Sequence, residues 1–352
     1  MRRKEIIHNV IINRRVAAGP DSRDLGAILL FIFLLPYIIS FFFGNAGRGD
    51  RTMGENGGAA EQSSYTEGAD VFREDLEKEE FLICSRTAAG VEIMPLEAYL
   101  LRRLPATIDM GYETEALKAQ AVVLRTELMR KYYDAVKMGE EIQRKGEKPC
   151  IQVEDRLVSA EGQSYEKCRE AVVETRGMYM VLEGYPVKAP YFAVSAGTTR
   201  NGSEALAEED YSYLKAVVCG RDFTAPDYAQ SIRLSREAFG EKLAEMLPES
   251  GDMEGEGLAE QLRLTRDKSG YVTRVEAGEA CISGECFRTV LSLPSACFEL
   301  EERDGSVWIR TKGVGHGLGM SQYGADQAAR KGSDFIDILK LFFSDVAIEK
   351  NL

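Results

Sequence analysis

Histidine is nearly absent from this chain, and basic residues are outnumbered by acidic ones. Only two of the 352 residues are histidine, while 44 Lys and Arg stand against 57 Asp and Glu, for a net charge of −13 at pH 7. There is no C-x-x-C motif either, so we expect no metal site. Excess negative charge opposes binding to nucleic acid or other anionic polymers. A neutral or weakly charged ligand such as a glycan suits the chain better.

The glycine patterns of nucleotide-binding sites are also missing. The chain has no G-K-[ST], which excludes a phosphate-binding loop of that kind. Residues 313–325 read G-V-G-H-G-L-G-M-S-Q-Y-G-A. A dinucleotide loop needs a sixth-position glycine, but counting from Gly313 or Gly315 the sixth residues are Leu318 and Met320. We therefore expect no cofactor.

This glycine-rich run is nevertheless a candidate ligand loop. Glycine tolerates positive φ and lets a backbone approach a ligand closely, and His316 lies in the middle of the run. Three following side chains can hydrogen-bond a hydroxyl-rich ligand: Ser321, Gln322 and Tyr323. A structural turn that only packs tightly is the alternative. Beyond the run, apolar residues at helical spacing predict helix towards the C-terminus.

An apolar segment near the N-terminus has the composition of a membrane anchor. Residues 27–43 hold 17 residues without a charge, the lower limit for a helix that spans a hydrocarbon core ~30 Å thick. A cleaved signal peptide is the alternative, but the run is longer than a signal's apolar region and begins late. We expect one N-terminal transmembrane helix here.

Charges around this segment predict its orientation. Residues 1–26 hold six Lys or Arg and three acids, and positive charge keeps such a tail in the cytoplasm. Residues 44–78 have the Gly-, Ser- and acid-rich composition of a flexible linker. We therefore expect a single-pass protein of the cell membrane with an extracytoplasmic domain over residues 79–352.

The cysteines all follow the apolar segment. There are seven, at positions 84, 150, 168, 219, 281, 286 and 297, and an odd number cannot all pair within one chain. Ser283-Gly284 reads as a two-residue hairpin turn that sets Cys281 opposite Cys286. Two outcomes stay open for these thiols, a disulfide bridge or reduced side chains at a sheet edge.

The remaining pattern favours an α+β fold. Leu117, Ala121, Leu124 and Leu128 recur at helical spacing among strong helix formers, and a second helix opens at Pro95. A charged helical insert is expected at about 236–263. Short strands are predicted at 81–84, 91–94, 178–182, 191–194, 271–276, 287–291 and 307–310. Strands interleaved with a few helices predict a mixed or antiparallel sheet.

Three stretches together resemble the stage II sporulation protein D / LytB family. They are P-L-E-x-Y-L from Pro95, E-A-L-K-A-Q-A-V from Glu115 followed by R-T, and the glycine-rich run around His316. Between them S-A-G-x-T from Ser195, Y-L-K from Tyr213 and V-T-R-V from Val272 also look like the family, in the same order. The resemblance covers about residues 79–350.

The resemblance implies a membrane-anchored sporulation protein that acts on the glycan strands of peptidoglycan during engulfment. Family members are lytic transglycosylases that work beside a peptidoglycan amidase and a polytopic membrane scaffold. One carboxylic acid protonates the glycosidic oxygen and then acts as base while the sugar's C6 hydroxyl attacks C1. Such an acid holds its proton near neutral pH only in an apolar pocket.

The chain departs from the family pattern at this acid. An ungapped count places Thr107 where the family has glutamate, and a hydroxyl cannot deliver a proton in its stead. Asp109, two residues on, is the candidate replacement. The resemblance implies substrate-binding roles for Arg125, Ser195, Tyr213, Lys215, His316, Gln322 and Tyr323.

Whether the chain is an enzyme is therefore open. One hypothesis is a relative that binds glycan with lost or weakened transglycosylase activity. The other is an active lytic transglycosylase that uses a displaced acid such as Asp109. A third class, an adhesion or sensor module unrelated to sporulation, has no motif of its own in the chain.

Overall fold

The computed structural model describes residues 81–87, 90–139, 144–145, 148–248 and 255–350. The predicted tail, membrane anchor and linker, at residues 1–26, 27–43 and 44–78, lie outside these ranges. Among the helices that are described, none has the length and apolar character needed to cross a bilayer.

The described residues form a mixed α+β fold, which confirms the predicted class, but with several small sheets. The helices are α1 Leu96–Arg103, α2 Thr114–Met138, α3 Gly162–Glu174, α4 Gly202–Leu206, α5 Arg236–Met246, α6 Gly284–Val290, α7 Gln322–Ala329 and α8 Phe335–Phe342. Short 3-10 turns are Leu104–Ala106, Glu209–Tyr211 and Asp222–Thr224.

The strands belong to five small sheets in the described part of the chain. They are β1 Leu82–Thr87, β2 Gly90–Pro95, β3 Arg144–Lys145, β4 Lys148–Val153, β5 Met178–Leu182, β6 Tyr185–Pro186, β7 Tyr191–Phe192, β8 Ala229–Ser235, β9 Arg263–Arg266, β10 Val272–Ala277, β11 Ala280–Ser283, β12 Phe298–Arg303, β13 Ser306–Lys312, β14 Met320–Ser321 and β15 Ala347–Lys350. The sheet orders are β2-β1-β4-β3, β11-β10-β9, β12-β13-β8, β14-β7 and β15-β5-β6. Pairing is parallel for β1 with β4 and for β7 with β14, and antiparallel elsewhere.

Helix α2 is the central element, and it is buried on two faces. The predicted stripe is confirmed: Leu117, Ala121, Leu124 and Leu128 pack in one apolar cluster with α1, α3 and β4. A second face of small residues, with Val122 and Val123 among them, packs on β14, α7 and α8. Because these side chains are small, the backbone of α2 can lie close to those of its neighbours without leaving a void. The first turn of α2 is thereby held beside α7.

A third apolar cluster lies between the sheets β11-β10-β9 and β12-β13-β8, with α5 and α6. Here two sequence predictions were wrong. Ser283-Gly284 is no hairpin turn, because the Ser283 hydroxyl accepts the Cys286 N–H and caps α6. Of residues 287–291, predicted as a strand, residues 287–290 therefore continue this helix, and Phe287 stacks on Phe298 in the cluster. Gly284 is required, since a Cβ there would lie 1.9 Å from the Val272 carbonyl oxygen.

The disulfide in the described residues joins another pair, and of the two outcomes left open for Cys281 and Cys286 the structure shows the free thiols. Cys84 and Cys150 are bridged across the parallel strands β1 and β4, with Cα atoms 5.8 Å apart. Cys281 and Cys286 are free and exposed. The helix that Ser283 caps takes the place of the hairpin turn that would have set the two thiols opposite each other. The bridge closes a loop that contains α1 and α2, and such a constraint stabilises a fold mainly by restricting the unfolded chain.

Candidate functional site

A groove of about 670 Å³ opens where α2 begins. Five separate segments line it: Asp109, Gly111 and Tyr112; Ala193 and Val194; Thr224, Ala225, Pro226 and Asp227; Val314; and Tyr323, Asp326, Gln327 and Arg330. The walls thus combine residues before α2, after β7 and in α7 with the glycine-rich run. This volume falls within the range of ordinary ligand pockets.

The glycines of the run serve tight packing against the protein. Gly313, Gly315, Gly317 and Gly319 all have positive φ, between 75° and 112°. A Cβ on Gly319 would lie 2.0 Å from the Pro190 carbonyl oxygen, and one on Gly313 would lie 2.7 Å from that of Val194. No side chain fits in these places. The structural alternative therefore accounts for the glycine spacing, while Val314 between them faces the groove.

His316 is held by the backbone on both sides of its ring. Its Nδ1 accepts the Leu318 N–H at 3.1 Å, and the Tyr191 backbone is a further hydrogen-bond partner. The ring packs on Phe192 with centroids 5.5 Å apart, and burial lowers the pKa of His316 below its ordinary value of 6.5. The neutral ring thus fastens the glycine-rich run to β7. It is not among the residues that line the groove.

This arrangement makes the run sensitive to acid. Because burial lowers the pKa of folded His316, the unfolded chain takes up a proton first, and stability falls as pH drops below about 6.5. We expect the free energy of unfolding of the unaltered chain to fall more between about pH 8 and about pH 5 than that of His316→Gln. Urea titrations at both pH values measure this. An equal loss in both proteins would contradict the assignment.

Of the three residues after the run, only Tyr323 faces the groove. Its hydroxyl lies 3.0 Å from the Thr224 hydroxyl, and its ring meets Tyr112 edge-on at 6.3 Å between centroids. Burial raises the pKa of Tyr112 to about 12, so its hydroxyl stays protonated at neutral pH. Gln322 is buried and donates to the Thr107 carbonyl oxygen at 2.7 Å. These contacts join α7 to the segment before α2.

A buried carboxylate that sequence reasoning missed ties three groove segments together. Asp222 is fully buried, and its Oδ2 accepts the Ser195 N–H at 2.8 Å and the Ser321 hydroxyl at 2.7 Å. Its Oδ1 has no hydrogen-bond partner, and burial raises the pKa of this carboxyl. Ser321 in turn caps α7 by accepting the Gly324 N–H.

The position expected for the catalytic acid holds a satisfied hydroxyl. Thr107 ends the 3-10 turn Leu104–Ala106, and its hydroxyl donates to the Leu104 carbonyl oxygen at 2.9 Å. Asp109 lies in the groove wall and is exposed, and its Oδ1 accepts the Gly111 N–H at 2.8 Å. The groove thus presents an acid, in a setting open to water.

Four other predicted binding residues lie away from the groove lining. Arg125 is fully buried and makes a bidentate pair with Glu97 at 2.9 and 2.7 Å. Tyr213 is buried and donates to the Lys188 carbonyl oxygen. Ser195 is buried and accepts the Gly197 N–H, while Lys215 is exposed and pairs with Asp345. The spacing of residues in the sequence does not distinguish a buried structural residue such as Arg125 from an exposed one such as Lys215. No group of three or more His, Cys, Asp and Glu side chains in the described residues is placed to hold a metal ion.

Comparison with known proteins gives a consistent picture. A family model described as Stage II sporulation protein matches residues 85–182. Stage II sporulation protein D of Bacillus amyloliquefaciens is 32% identical over 272 residues, which span 74% of this chain and 76% of that protein. The chain belongs to the stage II sporulation protein D family.

Two further relatives extend over similar lengths. Stage II sporulation protein D of Bacillus subtilis (strain 168) is 30% identical over 285 residues, which span 75% of this chain and 78% of that protein. An uncharacterized protein of Brachyspira hyodysenteriae is 28% identical over 275 residues, which span 76% and 70%. The family places the chain among sporulation proteins. Thr107 and Asp109 both fall in the stretch matched by the family model.

Proposed function

We propose that this member of the family binds peptide-free glycan strands of peptidoglycan during engulfment, with lost or weakened lytic transglycosylase activity. The groove beside α2 supports this proposal because it presents neutral hydroxyl groups, from Tyr112, Thr224 and Tyr323, beside apolar walls. Such groups suit a hydroxyl-rich ligand. Asp326 pairs with Arg330 at 2.7 Å, so the charge that the groove lining keeps comes from the carboxylates of Asp109 and Asp227.

The observation that carries the loss of activity is the hydroxyl of Thr107. The family reaction needs a carboxylic acid to protonate the leaving oxygen, and general acid catalysis contributes about 10²–10⁴-fold. The Thr107 hydroxyl keeps its proton at neutral pH and already donates it to Leu104. Without an acid at this position the strand is held but its glycosidic bond stays intact.

Asp109 supports the second candidate function, an active transglycosylase. Its carboxyl lies in the groove wall two residues from Thr107. In the protonated form it could give its proton to the glycosidic oxygen, and as carboxylate it could take the proton of the C6 hydroxyl that attacks C1. The carbon–oxygen bond to the leaving sugar breaks as the 1,6-anhydro bond forms. Its exposure to water weighs against this role, since a catalytic acid needs an enclosed site.

Location and partners belong to the same proposal. We infer a single-pass membrane protein anchored by residues 27–43, with an extracytoplasmic C-terminal domain. The disulfide between Cys84 and Cys150 supports this location, because disulfides persist in oxidising compartments. A peptidoglycan amidase and a polytopic membrane scaffold are the proposed protein partners, since the family resemblance implies both.

A binding assay tests the proposal. We expect the purified full chain to bind peptide-free glycan strands, and Tyr323→Ala to weaken binding by about tenfold, because it removes both ring and hydroxyl from the groove. Tyr228→Phe is a suitable control, since the Tyr228 hydroxyl donates to the Ala196 carbonyl oxygen and Tyr228 is not part of the groove lining. Failure of the unaltered chain to bind would refute the proposal, and equal binding by Tyr323→Ala would place the strand elsewhere.

A further inference from the structure

The outer face of the sheet β12-β13-β8 is basic, although the chain as a whole is acidic. Along β13 the inward residues Val307 and Ile309 are buried, so the alternating residues Trp308, Arg310 and Lys312 face outward. Trp308 lies between Arg233 on one neighbouring strand and Glu301 on the other. We call the five residues Arg233, Arg303, Trp308, Arg310 and Lys312 the basic face.

The basic face keeps positive charge after its internal pairs are counted. Four cations lie beside the two carboxylates of Glu299 and Glu301, so two positive charges remain. Glu301 pairs with Arg310 at 2.7 Å and more loosely with Arg303 at 3.8 Å, and Glu299 pairs with Lys312 at 3.3 Å. Arg233 has no carboxylate partner among the ion pairs of the described residues, where its Nε donates to the Ser306 hydroxyl.

The single tryptophan holds two of these arginines in place. The guanidinium carbons of Arg303 and Arg233 lie 4.5 and 5.4 Å from the Trp308 ring centroid. Such stacking fixes a planar guanidinium while its N–H groups stay available. An ordered guanidinium fork matches a carboxylate in geometry and charge. The basic face is therefore arranged to take carboxylates.

Two strands of the basic face follow or precede the groove wall directly along the chain. Strand β13 ends at Lys312, two residues before Val314 in the groove wall, and β8 begins at Ala229, two residues after Asp227 in the same wall. The Gly313 N–H donates to the Tyr228 carbonyl oxygen at 2.7 Å and locks these ends together. From Lys312 to Trp308 the face extends about 13 Å along the strand.

We propose that the basic face extends the groove and binds the free lactyl carboxylates of a peptide-free glycan strand. This inference rests on the proposed function, and it adds a site that distinguishes strands by charge. Removal of a stem peptide frees one carboxylate on each muramic acid, whereas an intact stem peptide occupies that group in an amide bond. A strand leaving the groove past Val314 would bring such carboxylates to Arg310 and Arg233.

Two matched ligands and two matched variants test this site. The ligands are peptide-free strands and the same strands with their carboxyl groups converted to methylamides. The variants are the double substitution Arg233→Gln and Arg310→Gln, and the control Arg263→Gln, whose side chain is 84% exposed on the separate sheet β11-β10-β9. Binding is measured with the full chain, and urea titration verifies that each variant is folded.

We expect the double variant to bind peptide-free strands about threefold to tenfold more weakly than the unaltered chain, as for two solvent-exposed charged contacts. The control should bind normally. Methylamide strands should bind the unaltered chain as weakly as peptide-free strands bind the double variant, and the double variant should not discriminate between the ligands.

Three outcomes would overturn the inference in recognisably different ways. If the unaltered chain binds neither ligand, the proposed function fails and this site fails with it. If the unaltered chain binds both ligands equally, the groove binds glycan but the basic face does not recognise the lactyl carboxylates. If the double variant keeps full glycan affinity but loses binding to poly-glutamate, the face belongs to an acidic protein partner instead.

Discussion

Thr107→Glu is expected to raise the release of 1,6-anhydro product by about 10²–10⁴-fold over the unaltered chain. The substitution places a carboxylic acid at the position where the family resemblance predicts the proton donor. It disturbs little, because Gln322 bonds to the backbone carbonyl of Thr107, which any residue supplies. The lost bond from the Thr107 hydroxyl to Leu104 is a single contact at the end of a 3-10 turn. The product sugars are chemically reduced, separated, and identified and quantified by mass spectrometry.

Thr107→Gln is the matched control for this gain. Glutamine has nearly the shape of glutamate but cannot donate a proton as a carboxylic acid does, so it should release no more product than the unaltered chain. If Thr107→Glu folds and binds glycan normally yet stays silent, the groove lacks more than its acid. The assignment of position 107 to the acid would then be wrong.

Arg125→Met should lower the free energy of unfolding by about 3–5 kcal/mol, because it leaves a buried carboxylate without its charge partner. Arg125 is fully buried, and both oxygens of the nearly buried Glu97 bond to its guanidinium. Its Nη1 also donates to the Met178 carbonyl oxygen at 3.0 Å, which ties α1, α2 and β5 together. Urea titration of the full chain measures the change.

Two further variants test whether the loss of stability comes from an unpaired buried charge. Arg86→Met, which opens an exposed ion pair with Glu154 at 3.1 Å, should cost only about 0–1 kcal/mol. The double variant Glu97→Leu and Arg125→Met should recover part of the loss, since no unpaired charge stays buried. Equal stability of the unaltered chain and Arg125→Met would show that Arg125 is no structural residue, and would favour its predicted contact with glycan.

The sequence predicted the elements whose signal is local. The stripe of Leu117 and its helical neighbours located α2, because periodicity alone reveals which face a long helix buries. The mixed α+β class followed from the same pattern.

Elements that depend on a single local contact were harder to predict. Residues 287–291 have strand-like composition, yet residues 287–290 belong to α6, which Ser283 caps. A serine before a glycine suits a hairpin turn and a helix cap equally. Only the close approach of Gly284 to Val272, seen in three dimensions, decides between them.

The candidate site shows the same division. Arg125 and Tyr213, which belong to the family motifs, are buried and bond to other parts of the protein. A motif alone does not tell whether a residue contacts a ligand or holds the fold. Asp222 escaped notice since its role depends on Ser195 and Ser321, far away in sequence. Tyr323 and Asp109 were predicted as site residues and both line the groove, but their roles towards glycan stay predictions.

The most direct test is the release of 1,6-anhydro sugars from peptide-free glycan strands by the unaltered full chain, compared with Asp109→Asn. We predict that the unaltered chain binds the strands and releases little or no anhydro product, and that Asp109→Asn behaves alike. Robust release by the unaltered chain, abolished in Asp109→Asn with glycan binding intact, would contradict the account and identify Asp109 as the working acid.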